Sequence, residues 1–246
     1  MQQAPDQAMD EKSVAPAGGM ERIDPSAAGA QPGQNVDDNK PIVFIKELSE
    51  RDRPYMLNHF LSLSPEDRML RFGAALPDEA ITKYVNNIDF ERDTVFGVYE
   101  STFNMVGVGH LAFAPPETLP AISDSPKLER VAEFGVSVAA PVRRMCVGTK
   151  LFDRATIHCR NNGVDIMYIH CLASNRPMLC IAKKAGMEIH RDHGEVDGYL
   201  RLPDSNSATL LHEAVEERAA TLDYVLNQKF QRLIDWMRNR LNPKNL

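Results

Sequence analysis

The 246-residue chain predicts an α/β fold, a mixed sheet with flanking helices, followed by a C-terminal helical extension. Three observations carry this. Strand-like apolar runs alternate with helical patterns between residues 41 and 203. Some joins between strands are short enough for hairpins and others contain a helix, so antiparallel and parallel neighbours both occur. Residues 204–246 show no strand pattern and repeat apolar residues at helical spacing.

Taken in order, residues 1–40 contain no aromatic residue and are spaced by Pro5, Pro16, Pro25 and Pro32. They cannot bury enough apolar surface to offset their ordering entropy, and a disordered tail is expected. Pro41–Leu48 reads as a strand, followed by a helix near Pro54. Ser64-Pro65-Glu66-Asp67 opens another helix: a capping serine, proline in the first turn and acids at the positive end. A short helix follows Pro77. Strands at Thr94–Glu100 and Met105–Ala114 are joined as a hairpin through Ser-Thr-Phe-Asn. Pro115, Pro116, Pro120 and Pro126 mark a loop before the strand Arg130–Val138. A helix (about 148–161), strand Asp165–Leu172, helix (about 176–185) and two strands near 187–191 and 198–202 complete the alternation.

Composition narrows the function. No apolar run approaches the ~20 residues needed to span a bilayer. The N-terminus MQQAPDQAMDEK lacks the basic start and apolar core of a secretory signal. Cys146, Cys159, Cys171 and Cys180 form no C-x-x-C pair, so neither zinc nor a disulfide framework is indicated. Reduced thiols in a cytoplasmic protein are expected, the last three as buried small hydrophobes. The net charge of −6 argues against a nucleic-acid binder and suits cationic or amine-bearing substrates.

The most informative stretch is EFGVSVAAPVRRMCVGTKLF, Glu133–Phe152. A β-branched strand ends at Val138, a short turn and two arginines follow, and a helix begins near Thr149. A helix N-terminus fed by a tight basic loop presents unpaired N–H groups and partial positive charge to an anion. Alternation along Ala132–Val138 sets Ala132, Phe134, Val136 and Val138 on one face and Glu133, Gly135 and Ser137 on the other. Glu133 is thereby a carboxylate on the polar face of the strand that leads into the anion loop, placed to act as a base; Glu129 is the alternative.

Arg143-Arg144-Met145-Cys146-Val147-Gly148 fits the phosphate-loop frame Gln/Arg-x-x-Gly-x-Gly/Ala, with Cys146 at the first glycine. Asn175-Arg176-Pro177-Met178 and Ala182-Lys183-Lys184-Ala185-Gly186-Met187 fit Asn-x-x-Ala-x-x-x-Tyr-x-Lys-x-Gly-Phe, with Ala182 at the tyrosine. Leu63–Phe72 is similar to the first helices of a bacterial group that includes protein lysine acetyltransferases. With these blocks in order, residues 41–203 resemble the GNAT N-acetyltransferase superfamily. The resemblance implies a mixed, mostly antiparallel sheet and acetyl-CoA as co-substrate, with no metal. Arg143, Arg144, Met145, Cys146, Val147, Gly148 and Thr149 would cradle the pyrophosphate, Val136 and Val138 would line the pantetheine arm, and Asn175 would contact CoA. It also implies Glu133 as general base for an amine acceptor: a protein lysine, a polyamine or a small amine. Cys146 and Ala182 depart from the pattern and favour the alternative, a non-enzymatic acyl-CoA-binding sensor.

Three further signals remain. Cys146, at a helix N-terminus beside arginines, has the setting of a reactive thiolate. His190 and His193 fall in a hairpin with Asp192, Glu195 and Asp197, an acidic turn suited to a cationic amine. Leu211, Val215, Ala219, Leu222, Leu226, Phe230, Leu233, Met237 and Leu241 follow spacings of four, four and three, a period of 3.67. As one helix this stretch is about 45 Å long. The stripe is expected to pack on its own domain, to form a homodimer, or to meet another partner.

Overall fold

The computed structural model describes residues 44–100, 104–113, 129–221 and 224. The tail 1–40, the proline-rich loop, the hairpin turn and the far end of the apolar stripe lie outside these residues. Among the described residues seven strands form one sheet: β1 (Ile45–Glu47), β2 (Thr94–Tyr99), β3 (Met105–Phe113), β4 (Val131–Val138), β5 (Ile166–Leu172), β6 (Glu188–Asp192) and β7 (Glu195–Arg201). Their order is β1-β2-β3-β4-β5-β7-β6. Every neighbouring pair is antiparallel except β4 and β5, the mixed, mostly antiparallel sheet expected.

The alternation of strand side chains creates two cores. On one face, α1 (Arg53–Leu61) and α3 (Asp78–Asn86) bring Met56, Phe60, Ile81 and Val85 against Val95 and Val108. On the other, α4 (Val147–Asn161) and α5 (Arg176–Lys184) bring Leu151, Phe152, Met178 and Leu179 against Phe96, Phe134 and Ile169. Glycines let α4 approach the sheet: a Cβ on Gly107 would lie 3.0 Å from Val147 Cγ1. Between α1 and α3, α2 (Pro65–Phe72) starts as the sequence predicts. Ser64 Oγ accepts from the Asp67 N–H at 3.2 Å, Pro65 opens the first turn, and left-handed Gly73 ends the helix.

One irregularity shapes the molecule. Pairing of β4 with β5 covers only Val131–Ile166, Ala132–Met167 and Glu133–Tyr168, although β4 runs to Val138 and β5 to Leu172. β3 holds the other edge of β4 as far as Val138, and β7 holds β5 to Leu172. The two parallel strands therefore open a V from Phe134 onward, with main-chain edges left unpaired by the sheet.

Beneath the open arm of β4, Ser137 is buried against α1. His59 Nδ1 lies 3.0 Å from the Met105 carbonyl oxygen, so that nitrogen carries the proton. Nε2 therefore accepts the Ser137 hydroxyl at 2.8 Å. Burial pushes the His59 imidazole down to about 4, and it is neutral at pH 7.

Residues 207–221 form a further helix, α6. Its orientation departs from one expectation: of the described stripe residues, Ala219 is half-buried but Leu211 and Val215 do not pack on the domain. Leu211 and Val215 are 66% and 56% exposed, whereas Glu213, Glu216 and Glu217 meet α4. The cause is Arg154, only 1% exposed. An unpaired charge buried to that degree is prohibitive, so the helix edge that supplies carboxylates takes the inner position. Arg154 Nη1 reaches Glu213 Oε1 at 2.6 Å and Nη2 reaches Glu217 Oε2 at 3.3 Å, with its guanidinium 4.8 Å from the Phe96 ring centre. His158 Nδ1 shares Glu213 Oε1 at 2.7 Å. Although burial opposes it, hydrogen bonds from His158, Asn161 and Arg154 lower the Glu213 carboxyl to about 2. Cys159 and Cys171 are buried as expected, but Cys180 is exposed, because α5 turns Met178, Leu179 and Ala182 inward and Cys180 lies off that face.

Two outcomes follow. Arg154→Met leaves carboxylates without their buried partner and should cost about 3 kcal/mol in denaturant unfolding, with a loss of helical circular dichroism. His59 is held below its unfolded value of 6.5, so its stabilising share is complete above pH 6.5 and is lost as pH falls towards 4. Stability at pH 4.5 should be lower than at pH 7.5 by about 2 kcal/mol from this residue, and His59→Gln should flatten that part of the slope.

Candidate active site

Beyond Val138 the chain makes a single tight turn over Ala140–Val142 and enters α4 through Arg143–Cys146. Two non-glycine residues of this loop are left-handed, Arg144 at φ 66° and Cys146 at φ 61°. Such reversals re-aim successive N–H groups to one side and make an anion-binding concavity. They adjoin the first amides of a 15-residue helix, which have no intrahelical acceptor. Val136 and Val138 pack towards the α4 core, while the strand edge they share faces the V. The pyrophosphate loop and the pantetheine strand proposed from sequence are thus contiguous.

At the position of the frame's first glycine, Cys146 takes the left-handed conformation where glycine is preferred, as the cap residue preceding α4. Its side chain is exposed. Gly148 has no positive φ, and a Cβ there would lie 3.3 Å from Ile181 Cδ1. Its smallness serves the α4–α5 contact.

Two of the predicted cofactor contacts are engaged with α2. Arg143 Nη2 pairs with Asp67 Oδ2 at 2.6 Å. Asn175 caps α5 by accepting the Met178 N–H at 3.1 Å and donates through Nδ2 to the Leu70 carbonyl at 3.0 Å. The helix that follows the capping serine therefore spans from the phosphate loop to the start of α5.

Glu133 is exposed at the last paired position before the V opens, opposite Tyr168. The register continues this row to Tyr199 on β7 and Glu188 on β6. In the next row His170, Asp197 and His190 are neighbours. Tyr168 donates to Asp197 Oδ1 at 2.6 Å, His170 Nδ1 lies 2.9 Å from the same oxygen, and the Tyr168 and Tyr199 ring centres are 5.2 Å apart. The hydrogen bond to Asp197 raises the His170 imidazole, and the same contacts, with Tyr168 first, hold the Asp197 carboxyl low against its burial. The sheet face beside Glu133 is consequently aromatic and acidic. Glu129 is not part of it; its carboxylate binds Arg201 at 2.8 Å before β4 begins.

Sequence reasoning missed Arg71. Its guanidinium fills the space above Gly135, where a Cβ would lie 2.6 Å from Cζ. Arg71 Nη2 donates to Tyr84 Oη at 2.9 Å, the hydroxyl donates to His110 Nδ1 at 2.8 Å, and His110 Nε2 donates to Asp93 Oδ2 at 3.2 Å. These four residues come from distant segments and share no local motif. The available signal was Gly135 itself, since glycine inside a buried strand marks a close approach.

A family model described as the acetyltransferase (GNAT) family matches residues 57–187. Among solved structures, the GNAT domain of S. lividans PAT has a TM-score of 0.54 at 16% identity, covering 65% of this chain and 90% of that chain. Arabidopsis thaliana NAA60 in complex with a bisubstrate analogue has a TM-score of 0.51 at 10% identity, covering 67% of this chain and 100% of that chain. NAA60 in complex with acetyl-CoA gives 0.50 at 11%, covering 65% and 98%. At these identities the likeness is one of fold. No relative is found among the curated proteins. The family model spans more than half of the chain and contains the strand, the anion loop and both α2 contacts just described; this chain belongs to the acetyltransferase (GNAT) family and is an acyltransferase.

Proposed function

We propose that the protein transfers the acetyl group of acetyl-CoA to a primary amine by direct attack in a ternary complex, the acceptor being a protein lysine, a polyamine or a small amine. The observation that carries this reading is the V between β4 and β5, which leads from Glu133 to the N-terminus of α4. The loop amides from Arg143 to Thr149 suit a pyrophosphate, and the unpaired edge at Val136–Val138 suits an extended pantetheine arm. Main-chain N–H groups there polarise the thioester carbonyl as it gains negative charge. NAA60 holds acetyl-CoA on a similar fold, which supports the choice of donor.

A lysine-like amine with a pKa near 10.4 is only about 0.04% neutral at pH 7, a handicap of roughly 4–5 kcal/mol. Glu133, exposed at the head of the V, removes that proton directly or through water. The Tyr168, Tyr199 and Asp197 floor beside it attracts the cationic form before deprotonation. Ala182 is fully buried in the α5 core, and no hydroxyl from that position reaches the leaving thiolate. A CoA thiolate departs near neutral pH without one. Arg71, fixed by Tyr84, contributes positive charge on the same strand face as Glu133.

Two measurements test this. CoA release from acetyl-CoA should require an amine, and Glu133→Gln should lower kcat by about 10²–10⁴-fold with the affinity for CoA retained. CoA binding without turnover above hydrolysis for any amine would reduce the protein to an acyl-CoA sensor. Separately, Cys146→Gly relieves a left-handed non-glycine residue and should raise unfolding stability by about 1 kcal/mol; a neutral or destabilising result in denaturant titration would remove the strain at this loop.

A further inference from the structure

Half-buried Arg71 is a cation that the described residues hold without neutralising. An added Cβ on Gly135 would lie 2.6 Å from its Cζ and Nη2 and 2.8 Å from Nη1, so the guanidinium presents its face to the strand. Among the described residues no carboxylate pairs with it. Nη2 donates to the Tyr84 phenol, Nε is buried without an acceptor, and the Phe72 and Tyr84 ring centres lie 4.9 and 5.7 Å from Cζ. The phenol does not stand in for an anion. Burial raises the Tyr84 hydroxyl above its ordinary range, and its proton goes to His110, the cross-strand neighbour of Gly135. Asp93, at the end of this chain, is already paired with Arg92 at 3.2 Å. Tyr84, His110 and Asp93 therefore fix the direction of the guanidinium and leave its charge to be met by another group. A cation withdrawn from water calls for an anion, and its planar fork of N–H donors matches a carboxylate.

The place of Arg71 says which substrate brings that carboxylate. Gly135 stands two residues beyond Glu133 on the same face of β4, a separation of about 7 Å along the strand. The loop Arg143–Thr149 serves the CoA phosphates at the far end of the V, and the pantetheine arm carries no charge. The acceptor is left as the source.

We infer that Arg71 selects an acceptor bearing a carboxylate, an ω-amino acid whose amine meets Glu133 while its carboxylate takes the Arg71 fork. The inference rests on the acetyl-transfer reading above and narrows its acceptor. An α-amino acid, with both groups on one carbon, is too short to span the two side chains; 5-aminopentanoate has the reach. A polyamine would set a second ammonium against Arg71 and be repelled. In the reaction the amine nitrogen bonds to the acetyl carbon as the C–S bond breaks, its proton passes to Glu133, and CoA leaves as the thiolate.

The first experiment needs no variant. With saturating acetyl-CoA, the wild-type protein should use 5-aminopentanoate with a kcat/KM about 30-fold or more above that for pentylamine, as for one buried charge pair. Arg71→Gln should bring this ratio close to one, and Arg71→Lys, which keeps the charge and loses the fork, should restore only part of it. The ratio cancels any general loss of folded protein. Titration calorimetry of the CoA-bound protein with the same two amines makes the comparison without turnover. Equal use and equal binding of the two amines overturns the inference and leaves acetyl transfer standing. If no amine at all is acetylated, the acetyl-transfer reading fails, and calorimetry alone decides whether Arg71 holds the carboxylate. An Arg71-dependent preference for succinyl-CoA over acetyl-CoA would put the carboxylate on the acyl group and overturn its assignment to the acceptor.

Discussion

The structure turns on the point where β4 and β5 stop pairing. Two parallel strands hydrogen-bond for three residues and then part, each held along its far edge by an antiparallel neighbour. Where the strands diverge, α2 packs against both of them and α4 against β4. Ser137 bonded to buried His59 fixes the polar side of the open arm. Val147 and Leu151 hold the apolar side through Gly107 and Gly109. The exposed strand edge and the Arg143–Cys146 loop follow this departure from a regular sheet, and Glu133 stands where it begins.

Much of this was legible in the chain. The strand and helix patterns reproduce the described strands and α-helices to within a few residues, since each core face is marked by period two or 3.6. Ser64-Pro65 and Asn175-Pro177 mark their helix starts by local chemistry, and the structure places both residues as caps. Contacts between distant segments were not legible. Nothing near Arg71 announces Tyr84, His110 or Asp93, and Arg143 carries no sign that Asp67 will hold it. Cys146 could be recognised as standing at a glycine position, but only the backbone angle shows that it bears the left-handed strain itself.

The C-terminal stripe shows how periodicity alone can mislead. An amphipathic pattern says that one side of a helix differs from the other, and the usual assignment turns the apolar side inward. Here one buried arginine on α4 reverses the assignment. Arg154 sits within the apolar core of the sheet, against Phe96, and its need for counter-charge outweighs the burial of two aliphatic side chains. The information that decides the orientation of α6 is thus located some fifty residues upstream of it.

The contacts of α2 carry a consequence for the order of events at the site. Asp67 holds Arg143 and the Leu70 carbonyl holds Asn175, while Arg71 of the same helix lies over Gly135 on the Glu133 side of the strand. One short helix therefore touches the anion loop and the open face of the strand together. A displacement of α2 from the strand face would therefore loosen Arg143 and Asn175 as well as Arg71, although the three side chains belong to three separate stretches of the chain.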